Sequence, residues 1–332
     1  MKCISKRILS GLLSLCLLSL SLTGCGKEEA LEQPFDLYEV TGSQEEVPAS
    51  KQKIEYLGAG NCQVPTEDIL LKGPDTGSVK AAGAFNLTTG ETEYAYQALE
   101  KIYPASTTKV LTAYLVIKKG KLKDKVTISR EAVMLPQGAS RAGLNEGDEV
   151  TVEGLLYGLM MVSGNDAAKA LAEYVSGSVE DFAALMNEEA KKMGATHSHF
   201  VNPHGIHDED HYTTVYDMYL LFQKACTSKT FRKIIKTPKK TIVIHRAGGY
   251  DKDMTYETTN RFLLNTTKYP KVYKILGGKS GTTYNAGKCF VLLTENKKKQ
   301  RHIFITMGGE TGGKMFSFMN QMMKAVSRKD KK

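Results

Sequence analysis

The chain has 332 residues, enough for one large or two modest domains. Hydrophobic residues make up 41% and charged residues 24%, which is ordinary for a globular protein. The net charge of +9 is spread along the chain and no recognition motif accompanies it, so it favours an anionic cell-wall or lipid surface over nucleic acid.

Residues 1–24 have the pattern of an export signal. Three basic residues precede an apolar run over 8–20 that is too short for a comfortable membrane span. A Leu-x-Gly-Cys motif ending at Cys25 follows, and it resembles the lipobox of bacterial lipoproteins, whose cysteine is lipid-modified and becomes the new N-terminus. We expect an exported protein that begins at Cys25 and is lipid-anchored to the outer face of the cytoplasmic membrane. A signal peptide cleaved elsewhere is the alternative.

Residues 25–76 are predicted to form an acidic tether and a lead-in. Acidic residues dominate up to about residue 50 and apolar residues are sparse, so this part cannot bury enough surface to offset its chain entropy. The glycines and prolines over 51–76 are compatible with either a linker or a structured lead-in.

Cysteine usage is consistent with export but does not decide it. Once the signal is removed and Cys25 is lipidated, Cys62, Cys226 and Cys289 remain, so at most one disulfide can form. No Cys-x-x-Cys spacing indicates zinc, and isolated thiols are the favoured interpretation.

The folded domain is predicted over 77–326, with a basic tail over 327–332. Periodicity and turn residues predict strands over 79–85, 93–98, 276–283, 289–294 and 302–307. They predict helices over 106–119, 152–162, 166–175, 179–192 and 315–326. Strands at both ends with helices between them indicate one α+β domain whose sheet is closed by the last hairpin.

Three polar signatures follow one another along this domain: Ser106-x-x-Lys109, Ser163-x-Asn165 and Lys279-Ser280-Gly281. The first lies at a predicted helix N-terminus, where the amine can take the hydroxyl proton and the helix dipole favours negative charge. The second interrupts two apolar helices, as expected of a turn facing a cleft. The third lies on a predicted edge strand, where glycines let another backbone approach closely.

Spacing alone does not identify a nucleophile. Ser50 and Lys53 have the same spacing as Ser106 and Lys109, but they lie in the predicted tether without partner motifs. The order of all three signatures is what carries the prediction.

That order resembles the low-molecular-mass penicillin-binding proteins that act as D-alanyl-D-alanine carboxypeptidases, the peptidase S11 family. Longer blocks extend the resemblance over about 79–326, among them Asn202-Pro-His-Gly205, His211-Tyr-Thr-Thr214 and Thr259-Asn-Arg-Phe-Leu-Leu264. The resemblance implies a β-lactamase/transpeptidase-like α+β fold, an antiparallel sheet flanked by helices plus a mostly helical subregion. It also implies removal of the terminal D-Ala from peptidoglycan stem pentapeptides, with β-lactams as covalent inhibitors and no cofactor.

The resemblance assigns catalytic roles to three side chains. Ser106 would form the acyl-enzyme, Lys109 would act as its general base, and Ser163 would relay a proton to the departing D-Ala nitrogen. The main-chain amides of Ser106 and Thr282 would form the oxyanion hole.

Substrate binding is assigned to a second group. Asn165 would position the substrate amide, and Lys279 would bind the substrate carboxylate with the hydroxyls of Ser280 and Thr282. Gly281 completes the Lys-Ser-Gly segment. Ser280 replaces the commoner threonine, which we expect to alter substrate preference at most.

Several alternatives remain beside this prediction. A class A β-lactamase needs a Glu-x-x-Asn loop after the second signature, and the only such spacing, Glu257 to Asn260, lies in a family-like block near the third. A D,D-endopeptidase or a non-catalytic protein that binds β-lactams or the cell wall also stays open. Five histidines within residues 197–211 suggest a metal site as a further alternative. Because His204 and His211 fall in blocks that resemble the serine family, no metal is predicted.

Overall fold

The computed structural model describes residues 61–329. The predicted signal, Cys25 and most of the predicted tether lie outside the described residues. Residues 61–76 pack onto the domain, because Ile69 pairs with Ala95 and the Cys62 main-chain N–H donates to Tyr219 Oη at 2.7 Å. Cys62, Cys226 and Cys289 are buried free thiols.

An antiparallel sheet of five strands forms the centre, in the order β2-β1-β9-β8-β7. Its strands are β1 (Ala81–Asn86), β2 (Glu91–Tyr96), β7 (Tyr273–Thr283), β8 (Gly287–Asn296) and β9 (Arg301–Gly309). Pairing of β1 with β9, from Ala81 opposite Met307 to Asn86 opposite His302, joins the two ends of the domain. Closure of the sheet by the last hairpin and the edge position of β7 are therefore confirmed.

Eight helices lie within residues 61–329, and some of them cover the two faces of this sheet. They are α1 (Lys109–Lys119), α2 (Arg130–Val133), α3 (Val152–Met161), α4 (Asn165–Ser176), α5 (Val179–Lys192), α6 (Val215–Cys226), α7 (Lys229–Lys236) and α8 (Gly312–Lys329). Phe318 and Met319 of α8 pack with Phe290 and Phe304 on one face, whereas the core of α1 and α6 fills the other. No helix within the described residues is long and apolar enough to cross a membrane.

A second, four-stranded antiparallel sheet was not predicted. It has the order β3-β4-β5-β6, with β3 (Lys125–Thr127), β4 (Glu149–Thr151), β5 (Lys239–His245) and β6 (Asp251–Glu257). Strands of three residues carry too little alternation to be detected from sequence. Residues 241–245 of β5 alternate between exposed and buried, but their sequence, Thr-Ile-Val-Ile-His, does not show it because the exposed Val243 is apolar.

Candidate active site

Ser106 lies in a tight turn at the start of α1. The predicted helix over 106–119 begins with a 3₁₀ turn, Ala105–Thr108, and becomes α-helical only at Lys109. Ala105, directly before the serine, has a φ of 48°, a left-handed conformation that is costly for a residue with a side chain. The turn therefore places Ser106 at the positive end of α1 through a strained backbone.

Lys109 is completely buried, and its Nζ has three oxygen neighbours. Asn165 Oδ1 and the His204 carbonyl oxygen each lie 2.7 Å away, and Ser106 Oγ lies at 3.0 Å. A neutral amine has two N–H groups and one lone pair. Since the two carbonyl oxygens can only accept, they take the two hydrogens and leave the lone pair facing Ser106 Oγ.

The environment favours this neutral amine. Burial holds the pKa of Lys109 well below its usual range, and the nearby positive charge of Lys279 lowers the pKa further. A general base that must accept a proton near neutral pH needs such a shift.

The second signature joins α3 to α4. Ser163 has a φ of 60°, and its Oγ is buried with no hydrogen-bond partner within residues 61–329. Asn165 is the first residue of α4, and its main-chain N–H donates to the Ser140 carbonyl at 2.9 Å. In this turn, the Asn165 side chain therefore hydrogen-bonds to Lys109, and the Ser163 side chain presents a hydroxyl that has no hydrogen-bond partner within the described residues.

The third signature lies on the edge strand β7. Lys279 is 1% exposed, burial lowers its pKa to about 7, and its Nζ donates to the Ser280 carbonyl at 2.7 Å. A Cβ on Gly281 would lie 2.8 Å from the Ser106 nitrogen, so only glycine permits this approach. The backbone that packs closely against Gly281 is the turn that contains Ser106, and this contact brings β7 beside Ser106. Thr282, the next residue of β7, is exposed.

Residues 72–311 match the sequence profile of Peptidase_S11, the D-alanyl-D-alanine carboxypeptidase family. The chain belongs to the peptidase S11 family. It is 34% identical over 241 residues to the D-alanyl-D-alanine carboxypeptidase DacF of Bacillus subtilis, covering 70% of this chain and 58% of the relative. It is also 34% identical over 221 residues to the D-alanyl-D-alanine carboxypeptidase DacC of Escherichia coli, covering 64% and 52%. The chain thus spans little more than half the length of these relatives.

The fold is similar to that of a DD-transpeptidase of known structure. The crystal structure of the Streptomyces K15 DD-transpeptidase has a TM-score of 0.70 and 29% identity, over 76% of this chain and 97% of that protein. This similarity confirms the predicted α+β fold class.

Sequence reasoning missed two groups that shape the S11 site. The buried Asp166 carboxylate accepts hydrogen bonds from the main-chain N–H groups of Ala142, Gly143 and Leu144, which tie the loop before β4 to the Ser-Gly-Asn turn. Thr259 Oγ1 lies 2.7 Å from Ser280 Oγ beside Lys279. Asp166 directly follows the second signature, and Thr259 begins a block that resembles the family, which were the available signals.

The Glu-x-x-Asn spacing that suggested a β-lactamase as an alternative has a structural explanation. Glu257 ends β6 and is exposed, whereas Asn260 is buried and its Oδ1 accepts from the N–H groups of Phe262 and Leu263. Asn260 therefore caps a turn. Within residues 61–329, the histidine-rich segment included, no group of three or more His, Cys, Asp or Glu is placed so that it could hold a metal ion.

Proposed function

We propose that this protein is a serine-type D-alanyl-D-alanine carboxypeptidase that removes the terminal D-Ala from peptidoglycan stem pentapeptides. The observation that carries the proposal is the 3.0 Å contact between Ser106 Oγ and the buried Lys109 amine. The names of the relatives point to the substrate class. Since the chain spans little more than half of those relatives, the activity is a proposal for this protein.

Acylation begins at Ser106. Its Oγ attacks the carbonyl carbon of the penultimate D-Ala while its proton passes to Lys109 Nζ. Negative charge that develops on the carbonyl oxygen is received by the main-chain amides of Ser106 and Thr282, an arrangement typically worth about 3 kcal/mol of barrier lowering per donor. The position of Ser106 at the start of α1 supports this step.

Collapse of the tetrahedral intermediate breaks the C–N bond to the terminal D-Ala. The departing nitrogen needs a proton, and Ser163 would relay it from the protonated Lys109. The buried Ser163 Oγ supports this role because it has no hydrogen-bond partner in the described part of the chain to compete for its proton. Asn165 would hold Lys109 through Oδ1 and bind the substrate amide through Nδ2.

Recognition of the substrate's terminal carboxylate is proposed for β7. The Lys279 ammonium supplies the charge, and the hydroxyls of Ser280 and Thr282 supply hydrogen bonds. Gly281 supports this arrangement because it keeps the strand next to Ser106, so that carboxylate and scissile bond are bound together.

Hydrolysis of the acyl-enzyme completes the cycle. Water attacks the ester carbon, and Ser106 recovers its proton as the shortened peptide leaves. An amine acceptor in place of water would give transpeptidation, which the similarity to a DD-transpeptidase makes the second candidate. Endopeptidase activity differs only in the leaving group.

A combined assay tests the proposed function. We expect penicillin to give a long-lived covalent adduct on Ser106, detected by mass spectrometry, because no Glu-x-x-Asn pair is arranged to activate water. We expect free D-Ala from diacetyl-Lys-D-Ala-D-Ala, at a rate that EDTA does not change.

Each contrary outcome has a distinct meaning. Fast turnover of penicillin would indicate a β-lactamase, and acylation without D-Ala release would indicate a non-catalytic binding protein. Loss of activity in EDTA would indicate a metal enzyme. Product transferred to an added amine at the expense of hydrolysis would indicate a transpeptidase.

Activity should also fall as pH rises through about 7. Burial lowers the pKa of Lys279 to about 7, so in the free enzyme this group is charged below that pH and neutral above it. Loss of the ammonium removes its attraction for the substrate carboxylate.

The measurement is kcat/KM from pH 6 to 9 for the carboxylate substrate. A neutral ester substrate without a terminal carboxylate is the control and should not show the same decline. Equal pH profiles for both substrates would contradict the role of Lys279.

We further propose a location at the cell envelope, with lipid on Cys25 and the acidic tether that follows it linking the lipid to the peptidase domain. The apolar run and the Leu-x-Gly-Cys motif support this arrangement. We expect the intact protein in the membrane fraction and a lipid mass on the peptide that begins at Cys25. Soluble protein without that mass would contradict the anchor.

A further inference from the structure

A buried histidine outside the three signatures lies beneath the nucleophile's turn. His211 is 2% exposed and lies in the loop before α6. The two residues that follow it are fixed: Tyr212 forms a bridge with His199, and Thr213 forms one with Ile102, just ahead of Ser106 in the sequence. The ring of Phe200 packs edge-on against the imidazole at 5.4 Å.

Hydrogen bonds define the protonation of this ring. The Val201 main-chain N–H donates to His211 Nδ1 at 3.2 Å, so Nδ1 carries no proton. A neutral imidazole then has its hydrogen on Nε2, which lies 2.8 Å from Thr108 Oγ1. Burial lowers the pKa of His211 to about 4, which is consistent with a neutral ring.

The chain of hydrogen bonds continues to the residue before the nucleophile. Because Thr108 Oγ1 accepts from His211, its own hydrogen is free to donate to the Ala105 carbonyl, 2.8 Å away. Ala105 is the residue with a φ of 48°, and its carbonyl orientation sets the peptide that leads into Ser106. Gly205 packs directly against the same Ala105 carbonyl, since a Cβ on Gly205 would lie 1.9 Å from the Ala105 oxygen.

We propose that His211 is a positioning residue for the nucleophile: through Thr108 it holds the strained Ala105 peptide and so keeps Ser106 Oγ in reach of Lys109. The inference rests on the proposed acylation of Ser106. Strained backbone persists only where its surroundings enforce it, and here the enforcing contacts are the Thr108 hydroxyl and the backbone at Gly205. His211 fixes the direction of that hydroxyl, because a threonine has a single hydrogen to donate.

The test compares variants that keep volume with variants that keep hydrogen bonds. Thr108→Val preserves shape and removes the hydroxyl, whereas Thr108→Ser keeps the hydroxyl. His211→Phe keeps a ring against Phe200 and removes both nitrogens. The readouts are the rate constant and the dissociation constant for acylation by penicillin, together with the melting temperature.

We expect Thr108→Val and His211→Phe each to lower the acylation rate constant about 10- to 100-fold, because a shift of about 1 Å in a reacting atom has this effect. Binding of penicillin before acylation should change little, and Thr108→Ser should acylate at close to the wild-type rate. The double variant Thr108→Val/His211→Phe should be no slower than the slower single variant, since both changes break the same chain.

Three results would overturn the inference. Acylation within twofold of wild type in folded variants, with only a lower melting temperature, would leave His211 a packing residue. Multiplying effects in the double variant would show two independent contacts. Absence of acylation in the wild-type protein would overturn this inference and the proposed function together, whereas normal wild-type acylation with unaffected variants would overturn this inference alone. If one single variant does not fold, the other single variant and Thr108→Ser still decide between these outcomes.

Discussion

Replacing Ser106 with alanine should abolish covalent labelling by penicillin and lower D-Ala release by about 10⁴-fold or more. The step depends on a bond between Oγ and the substrate carbonyl carbon, and no other group can supply that oxygen once the side chain is gone. The fold should be unaffected, because the Ser106 hydroxyl contacts Lys109 from a partly exposed position. Mass spectrometry of the penicillin adduct and release of D-Ala measure the effect.

The chain offers a matched control for this change. Ser50 stands three residues before Lys53, the same spacing as Ser106 and Lys109. The Ser50→Ala variant should be acylated at the wild-type rate. Ser50 and Lys53 lie in the predicted tether, without partner motifs that would correspond to Ser163 and Lys279. An adduct that persists in Ser106→Ala would contradict the assignment of the nucleophile.

Replacing Lys109 with arginine should lower the acylation rate about 10³- to 10⁴-fold. Acylation needs a neutral amine whose lone pair faces Ser106 Oγ, and burial together with Lys279 provides it by lowering the pKa of Lys109. A guanidinium has a pKa above about 12 and cannot be neutral at this site. Lys109→Met removes the amine at similar volume and should give a comparable loss, which separates the chemistry from packing.

Lys118 on the same helix is the control. Its Nζ pairs with Glu189 at 2.7 Å and its side chain is 45% exposed, so Lys118→Arg should leave acylation unchanged. Stopped-flow acylation with a chromogenic β-lactam gives the rate constants. A Lys109→Arg variant that acylates within tenfold of wild type would require a different general base.

The site combines two lysines whose pKa values burial lowers. Burial lowers the pKa of Lys109 well below its usual range, and the nearby positive charge of Lys279 lowers it further. Burial lowers the pKa of Lys279 to about 7. A charged Lys279 thus favours a neutral Lys109, which is the combination that a general base beside a carboxylate-binding group would need.

Much of the fold was predictable because its signals are local. The predicted helix over 179–192 coincides with α5, Val179–Lys192, where the Ser178 side chain caps the first turn and two lysines lie in the last turn. The joining of β3 and β4 to β5 and β6 in one sheet was not predictable, because β4 meets β5 only at Glu149 and His245, far apart in the sequence. No local pattern encodes a pairing of that kind.

The sequence by itself determined the family of this protein and its candidate catalytic groups: the three ordered signatures contain Ser106 and Ser163, Lys109 and Lys279, and Asn165, and longer blocks indicate the family. Only the tertiary structure decided how these groups act on one another. The lowered pKa values of Lys109 and Lys279 follow from burial, the lone pair on Lys109 faces Ser106 because of the His204 carbonyl and Asn165, and the strained Ala105 turn is held by Thr108 and His211. These properties depend on solvent exclusion and on contacts between distant segments, neither of which is written in any single stretch of sequence.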